Sequence, residues 1–375
     1  MQMKKNLLII MNEISRGGIE IAAVNFQTHL DKDKYNCIYF IRSFENVNSN
    51  LLDEITASGA KIFKKPENIN NYFKEYLYLK HFFQVHNIDI VHSHLLFYSG
   101  IAMRAASKVG VKKRIAHSHA TKSNRRCNKI KTTLINLYER TMRQWLKKYA
   151  TDIVACSKEA GVYLYGKDEF DRRGRVIFNG IEMNDYAFSD DKRTKIRDSL
   201  GLDNKFVVGH VGSIYWIKNQ EFLIKVFSAL LKINKNSVLL LVGGIYDNGS
   251  SQRCAEKLGI ADNVMFMGIQ DNIPDLMCAM DVFVFPSLFE ALPIAPIEAQ
   301  ATGLPCVVSD SVTSEIGVND NFRFMSLNDS TENWANVIAS MQCNERRLVD
   351  LNNLIYKYSI QSKTEELEKV YDDII

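Results

Sequence analysis

Short apolar runs that alternate with amphipathic stretches constrain the fold of this chain more than any other feature. NLLIIM (6–11), NCIYFI (36–41), IDIVHSH (88–94) and KRIAHSH (113–119) have the length and composition of buried strands, and IEIAAVNFQTHL (19–30) carries apolar residues at helical spacing. Parallel strands covered on both faces appear in a sequence as near-continuous apolar runs. The order therefore predicts β-α-β units built on a parallel sheet.

A second series of the same kind follows a polar stretch near residues 185–203. Its strands are predicted at 206–212, 237–244, 263–268, 281–287 and 305–309. A chain of 375 residues also exceeds what one hydrophobic core usually carries. We therefore predict an α/β protein with two doubly wound halves and a ligand crevice at the carboxyl ends of their strands.

Composition excludes several classes of protein. A net charge of +4 is too small to indicate nucleic-acid binding. No apolar run approaches the roughly 20 residues of a membrane-spanning helix, and no cleavage site follows the first apolar stretch, so we expect a cytoplasmic protein. The seven cysteines are scattered without a C-x-x-C pair, which gives no zinc signature and fits reduced thiols.

Proline spacing directs attention to DVFVFPSLFEALPIAPIEAQATGLPCVVS, because five of the six prolines lie between Pro274 and Pro305. Glu290 falls on a loop after a predicted strand, and Glu298 falls on the short helix that follows. A loop carboxylate beside exposed helix N–H groups can bind a polyol, and a second carboxylate suits a diol such as ribose. Taken alone, two glutamates eight residues apart are more often ordinary surface residues.

The tripeptide HSH occurs twice, each time at the end of a predicted strand. Strand alternation points both imidazoles of a tripeptide to one side, so His92, His94, His117 and His119 would cluster if the two strands are neighbours. Such a pair can bind a metal, which leaves a metal-dependent hydrolase as an alternative. Neither tripeptide contains a carboxylate and no further ligand set is evident, so we predict hydrogen-bonded histidines and no metal.

Five segments, in this order along most of the chain, resemble the retaining nucleotide-sugar glycosyltransferases of family four. They are SRGGIEIAAVNF (15–26), VIFNGIEMNDY (176–186), VGSIYWIKNQEFLI (211–224), FMGIQDNIPDLMCAMDVFVFPS (266–287) and the E-x7-E segment PSLFEALPIAPIEAQATGLPCV (286–307). The resemblance implies the GT-B fold, in which two Rossmann-like domains face a central cleft. It places an acceptor-side domain at 1–185, a nucleotide-sugar domain at 203–358, and a last helix at about 360–375 that packs back on the first domain.

The resemblance also implies an activity. A hexose would pass from a nucleotide diphosphate donor, with uridine as the base, to a glycan or polyprenyl-linked saccharide in surface-polysaccharide biosynthesis. The family needs no metal or other cofactor. Its members are thought to react on one face of the sugar, with the leaving phosphate taking the acceptor proton, so no protein nucleophile is named.

Residue roles follow from the same resemblance. Glu290 would bind the donor sugar with help from the backbone at 291–293, Glu298 would bind the ribose, and Lys218 would bind the pyrophosphate. His119 would hydrogen-bond and orient the donor sugar, with the neighbouring backbone helping to stabilise positive character at the anomeric carbon, and His94 would line the acceptor pocket. The remaining donor-binding positions are Gly17, Gly18, Gly212, Ser213, Gly268, Ile269, Ala291, Leu292 and Pro293.

One position departs from the family pattern. Ser213 stands where the family usually has an arginine, and a hydroxyl cannot replace a planar guanidinium with five donors. Three consequences stay open: weaker phosphate binding, substitution by another cation such as Arg16, or a different donor.

The segment 122–148 has nine Lys/Arg residues against one Glu and an apolar stripe, formed by Leu134, Leu137, Tyr138, Met142, Trp145 and Leu146. Such a helix can lie on an anionic membrane surface, or it can be an ordinary solvated helix packed by its stripe. Two further alternatives to a transferase are a sugar-nucleotide epimerase of the same fold and a non-catalytic nucleotide-sugar-binding protein.

Overall fold

A computed structural model describes residues 3–15, 17–45, 47–121, 129–341, 346 and 351–373. The chain forms two compact units. The first comprises Met1–Gly180 with Ile360–Ile375, and the second comprises Ile181–Ser359.

The first unit is built on a parallel sheet, which has seven strands within the described residues. The strands are β1 (Lys5–Met11), β2 (Tyr35–Ile41), β3 (Lys61–Lys64), β4 (Ile90–Ser93), β5 (Lys113–Ser118), β6 (Asp152–Ala155) and β7 (Gly174–Val176). Their order across the sheet is β3-β2-β1-β4-β5-β6-β7. The helices are α1 (Gly18–His29), α2 (Ser49–Ala57), α3 (Tyr72–Val85), α4 (Ser99–Lys108), α5 (Lys129–Tyr149), α6 (Lys158–Tyr165), α7 (Lys167–Arg173) and the final helix, α15 (Ile360–Asp372). A short 3-10 helix spans Leu96–Tyr98.

The second unit contains a parallel sheet with six strands in the described part of the chain. They are β8 (Phe206–Val211), β9 (Ser237–Val242), β10 (Val264–Gly268), β11 (Val282–Phe285), β12 (Cys306–Ser309) and β13 (Phe322–Met325), in the order β10-β9-β8-β11-β12-β13. Its helices are α8 (Asp190–Leu200), α9 (Gln220–Ile233), α10 (Ser250–Lys257), α11 (Ile273–Ala279), α12 (Ala295–Ala301), α13 (Thr331–Ser340) and α14 (Asn352–Tyr358). Short 3-10 helices span Met183–Tyr186, Ala261–Asn263 and Ser314–Ile316.

In each sheet the strand order reverses direction beside one central strand. In the first unit β1 lies between β2 and β4, and in the second β8 lies between β9 and β11. Ligands of doubly wound proteins bind outside the carboxyl ends of the strands at this switch point. The predicted α/β class with two doubly wound parallel sheets is confirmed.

The predicted strands are all present, and β3, β6, β7 and β13 are additional. These four are only three or four residues long. In β3 and β7, which form the two edges of the first sheet, no residue is fully buried. Such strands lack the long apolar run by which the central strands are recognised.

The division between the units falls at Gly180, and the second unit includes residues 181–202 as well as 203–359. The reason lies in α8, whose Arg193 and Arg197 bind the Asp281 carboxylate at the start of β11. Helix α15 belongs to the first unit, where Tyr371 is buried in the core. None of the described helices is long and apolar enough to cross a bilayer.

Candidate functional site

Three glycines lie side by side at the carboxyl edge of the second sheet. The Gly212 amide bonds the Val242 carbonyl at 2.9 Å, and the Gly243 amide bonds the Gly268 carbonyl at 2.8 Å. A Cβ at Gly243 would lie 2.2 Å from the Gly212 oxygen, so only glycine permits this approach. Gly268 has φ +65°, the left-handed region that also favours glycine. The loops after β8, β9 and β10 therefore form one tightly tied edge.

Lys218 and Glu290 meet at this edge of the second unit. The Lys218 Nζ atom donates to Glu290 Oε1 at 2.6 Å and lies 4.8 Å from the centroid of the Phe285 ring. Their side chains are only 16% and 18% exposed. The Leu288 amide bonds the Ile217 carbonyl at 2.8 Å, which ties the loop after β11 to the loop after β8. The sheet thus brings together a cation and a carboxylate that are 72 residues apart in sequence.

Glu298 lies on α12 and has a partner that sequence reasoning missed. The Tyr186 hydroxyl donates to Glu298 Oε1 at 2.5 Å. Burial raises the pKa of Glu298 to about 7, and the bond from Tyr186 opposes that rise. The carboxyl group therefore changes charge near neutral pH, and in this structure a tyrosine hydroxyl binds it as a ligand hydroxyl would.

The loop that carries Ser213 is fixed by hydrogen bonds from buried side chains. The Gln220 Nε2 atom bonds the Ser213 carbonyl at 3.1 Å and approaches His210 Nε2 at 3.2 Å. His210 Nδ1 lies 2.9 Å from the Val284 carbonyl, and burial lowers the pKa of His210 to about 4, so this imidazole is neutral. Ser213 therefore lies on a fixed loop. Arg16, the suggested substitute cation, falls outside the described residues.

The glycine pair of the first unit precedes α1, which begins at Gly18 with Gly17 as its N-cap. A Cβ at Gly17 would lie 2.2 Å from Glu20 Oε2, so the Glu20 carboxyl group packs directly on this glycine. Glu20 is buried, and burial raises its pKa to about 7. Sequence reasoning assigned Glu20 no role.

The four histidines of the HSH tripeptides do cluster, because β4 pairs directly with β5. His92 Nε2 lies 3.2 Å from His117 Nδ1, and His94 Nδ1 lies 2.9 Å from His119 Nε2. His92 Nδ1 also lies 2.7 Å from the Tyr371 hydroxyl on α15. The predicted juxtaposition and the predicted hydrogen bonding are both present, whereas the contact with Tyr371 was not foreseen.

All four imidazoles of the cluster are buried and neutral. Burial lowers the pKa of His92 and of His119 to about 3, and it lowers the pKa of His94 and of His117 well below the usual value. His117 Nε2 and His119 Nδ1 have no hydrogen-bond partner within the described structure. Lys218 and Glu290 bond each other, whereas the histidine cluster has two ring nitrogens that could still accept or donate a hydrogen bond.

Two family models match this chain and together span most of it. Residues 16–185 match the model described as "Glycosyltransferase Family 4", and residues 192–361 match the one described as "Glycosyl transferases group 1". The chain belongs to the family 4-type glycosyltransferases.

Relatives of this glycosyltransferase include full-length matches. It is 29% identical to the putative glycosyltransferase EpsF of Bacillus subtilis, over 90% of this chain and 87% of EpsF. It is 25% identical to the capsular polysaccharide biosynthesis glycosyltransferase CapH of Staphylococcus aureus, over 96% and 97%. Over 53% of this chain and 54% of the relative, it is 27% identical to a UDP-Gal:alpha-D-GlcNAc-diphosphoundecaprenol alpha-1,3-galactosyltransferase of Escherichia coli.

The fold of this glycosyltransferase is shared with HepE of Anabaena, whose crystal structure contains UDP. The TM-score is 0.81 at 17% identity, over 98% of this chain and 99% of HepE. The expected GT-B fold is thereby confirmed.

The residues that the family resemblance assigns to the site differ in their exposure and in their bonding partners. In the second unit, Lys218, Glu290 and the glycine edge lie together, and Ile269 is exposed beside Gly268. Ala291 and Leu292 are buried, as is Pro293. In the first unit, His94 and His119 are bonded to each other.

Proposed function

We propose that this glycosyltransferase moves a hexose from a UDP-sugar to a glycan or lipid-linked saccharide in surface-polysaccharide biosynthesis, with retention of configuration. The observation that carries the proposal is the Lys218–Glu290 pair at the sheet edge of a family 4-type chain. The names of CapH and of the Escherichia coli galactosyltransferase, and the UDP bound by HepE, support the class of acceptor and the nucleotide.

Lys218 would bind the donor diphosphate. Departure of a nucleoside diphosphate builds negative charge, and a fixed ammonium group stabilises that charge in the transition state. The short bond to Glu290 and the contact with Phe285 hold Lys218 in place before the donor arrives. With Ser213 in the family's arginine position, Lys218 carries more of the phosphate binding than its counterpart does in relatives that have the arginine.

Glu290 and Glu298 would divide the rest of the donor between them. A carboxylate accepts hydrogen bonds from two neighbouring hydroxyl groups, which suits Glu290 to a sugar and Glu298 to a ribose diol. The bond from Tyr186 to Glu298 has the geometry of such a contact. Binding of the ribose would then exchange one hydroxyl donor for another.

Within the histidine cluster, His119 would form the hydrogen bond to the donor sugar. Its Nε2 atom is engaged by His94, which leaves Nδ1 as the nitrogen without a partner among the described residues. A neutral imidazole can bond a sugar hydroxyl without itself adding positive charge beside the anomeric carbon, where positive charge develops. We propose that the leaving phosphate takes the acceptor proton, with no protein nucleophile and no metal in the transfer step.

The N-terminal half of α5 would face an anionic membrane that carries the acceptor. The apolar stripe of α5 has a buried part and an exposed part. Met142 and Leu146 are buried, whereas Leu134 and Leu137 are 63% and 61% exposed. Nearby on α3, Phe73 is 70% exposed and its neighbour Tyr72 stacks on Tyr138 of α5. Exposed apolar residues beside basic ones favour binding at a lipid surface. Residues 122–128 of the proposed segment lie outside the described residues.

The proposal is tested first with a donor panel. UDP-glucose, UDP-galactose, UDP-N-acetylglucosamine and GDP-mannose are compared for the rise that each gives in the unfolding temperature. The stabilising donor is then incubated with a polyprenyl diphosphate-linked saccharide, with and without a chelator, and UDP release is measured. The configuration of the product is read by NMR.

We expect one uridine donor to stabilise the protein, acceptor-dependent release of UDP that the chelator does not abolish, and a product with the anomeric configuration of the donor. An epimerase would convert the donor without an acceptor and release no UDP. A binding protein would be stabilised yet release nothing. Failure of every donor to stabilise the chain would refute the proposal.

A further inference from the structure

The histidine cluster contains three residues that can serve as metal ligands, of which the proposed transfer involves only His94, through its bond to His119. One ring nitrogen from each of His92, His94 and His117 lies within 4.8 Å of the other two, and all three side chains are buried. We propose that these three residues form a binding site for a late first-row transition-metal cation, of which Zn2+ is the probe. The inference does not depend on the proposed donor or acceptor.

The backbone holds the ligands at suitable spacing. His92 and His94 are two residues apart at the end of β4, so both point to one face of the sheet, and β5 beside it presents His117 to the same face. Zinc binds imidazole nitrogen at about 2.0–2.1 Å, so bound nitrogens lie roughly 3.4 Å apart in a tetrahedral site. Nitrogens that lie within 4.8 Å of one another would have to approach by about 1.4 Å at most to reach that spacing.

The protonation state of the rings also fits. A metal takes the lone pair of a neutral imidazole, and these rings are neutral because burial lowers their pKa values. His117 Nε2 is buried without a hydrogen-bond partner in the described structure. A buried unpaired nitrogen is destabilising, and coordination would supply the missing partner.

Two hydrogen bonds can orient the ligands from behind. Metal-binding histidines nearly always donate the second ring nitrogen to a neighbouring acceptor, which fixes the tautomer. With its proton on Nδ1, His92 donates to the Tyr371 hydroxyl at 2.7 Å and turns the Nε2 lone pair inward. In the same way, His94 Nδ1 donates to His119 Nε2 at 2.9 Å. Metal binding would replace the 3.2 Å contact between His92 and His117.

Ligand chemistry selects the class of cation. Three imidazoles favour zinc, copper and nickel over magnesium and calcium, which prefer oxygen ligands. Three neutral ligands leave the charge of the ion uncompensated, so the fourth position should hold hydroxide or another small anion, as in three-histidine zinc sites. The ion would join the ends of β4 and β5 and stabilise the first unit.

The test uses the full-length protein from zinc-supplemented cultures, followed by gel filtration and elemental analysis. Chelator-treated protein is titrated with Zn2+ or Mg2+ while the unfolding temperature is recorded. We expect about one equivalent of retained zinc and a rise of a few degrees with Zn2+ that Mg2+ does not reproduce. Co2+ in place of zinc should give the intense visible absorption of a low-symmetry nitrogen site, a readout that needs no variant.

Two variants locate the ion. His117→Phe keeps a ring in the core and should lower the zinc affinity at least tenfold. The control changes His81 of α3 and His86, the residue that follows this helix, to asparagine; both lie outside the cluster, and the double change should leave stoichiometry and affinity unchanged. Zinc that is absent from the wild-type protein, or that is lost with the control pair and kept in His117→Phe, would overturn the site. Transfer assays play no part, so these outcomes are independent of the proposed function.

Discussion

The proposed ligand-binding groups of the second unit are ionisable side chains that bond one another, whereas those of the first unit are neutral imidazoles, some of whose nitrogens have no partner among the described residues. Lys218 and Glu290 form a short ion pair, and Tyr186 binds Glu298. The buried histidines bond one another and Tyr371, and two of their ring nitrogens have no partner in the described structure. The difference indicates that a charged ligand at the second unit must exchange partners, while a ligand at the histidines can bind without breaking an ion pair.

Partner exchange has an energetic consequence. Charge-assisted hydrogen bonds contribute about 1.5–3 kcal/mol when buried, and less for side chains as exposed as Lys218 and Glu290. A donor that separates this pair must return that energy through its phosphate and its sugar. In the proposed site the nucleotide contact of Lys218 and the sugar contact of Glu290 would therefore depend on each other, and substitution of one residue at a time can measure each contribution.

The largest expected effect comes from Glu290→Gln, which removes the charge and keeps the shape. Transfer should fall about 100- to 1000-fold, because the sugar loses an ionised acceptor in the transition state. UDP, which lacks the sugar, should bind at least as tightly as it binds the wild-type protein, because the neutral amide no longer pairs with the Lys218 ammonium group. Steady-state UDP release and UDP titration are compared with Glu256→Gln, an exposed control on α10. Full activity in Glu290→Gln would contradict the assigned role.

On the neutral side, His119→Asn should reduce transfer by about 10- to 100-fold, the loss of one or two hydrogen bonds to the reacting sugar. UDP affinity should not change, because no phosphate contact is assigned to this residue. The same release and titration assays measure both quantities. If His119→Asn lowered UDP affinity as much as it lowered transfer, the proposed separation between sugar binding by the first unit and phosphate binding by the second would be wrong.

Glu298 predicts a pH dependence of donor binding. Its pKa of about 7 in the folded protein lies above the ordinary 4.5, so the group is protonated between those values when folded. Its contribution to folded stability is therefore lost as pH rises from 4.5 to 7, while the ionised form that accepts ribose hydroxyls becomes populated. UDP-glucose, which has no phosphate pKa near neutrality, should bind up to about tenfold more tightly per pH unit until pH 7.

Calorimetric titrations of the donor at pH 5.5 to 8.5 measure that slope. Glu298→Gln should flatten it while leaving residual affinity. A slope that persists in the variant would assign the proton to another group, and Glu20, whose pKa is also about 7, is then the next candidate.

The smallest effect is expected from Tyr186→Phe. Removing the hydroxyl deletes the group that competes with ribose for Glu298, so UDP affinity at pH 8.5 should rise about two- to tenfold. The control is Tyr215→Phe, which removes the hydroxyl of a partly exposed tyrosine in the loop after β8. Both variants are titrated with UDP under the same conditions. Weaker UDP binding in Tyr186→Phe would mean that the tyrosine assists the donor.

Sequence patterns predicted the fold well because buried parallel strands and the E-x7-E segment are local signals. The apolar runs located every central strand. The HSH tripeptides predicted their own cluster, since period-two alternation and strand adjacency suffice for that inference. Short edge strands such as β7 were not predicted, because three residues are too few to show an alternating or continuous apolar pattern.

The partners of the site residues could not be predicted, because each contact joins residues far apart in sequence. Tyr186 reaches Glu298 across 112 positions, and Tyr371 reaches His92 across 279. Glu20 had a local signal, since it follows the glycine pair by two residues at a helix start, yet only the fold shows that its carboxyl group is buried against Gly17. Burial, and hence a pKa near 7, depends on tertiary packing.

The central claim is that the second unit binds a uridine diphosphate donor through Lys218, and calorimetric titration with UDP tests it most directly. Wild-type protein and Lys225→Met, a surface control on α9, should bind UDP with equal affinity, and Lys218→Met should bind it about 10- to 100-fold more weakly. Absence of UDP binding by the wild-type protein, or equal binding by all three proteins, would contradict the account.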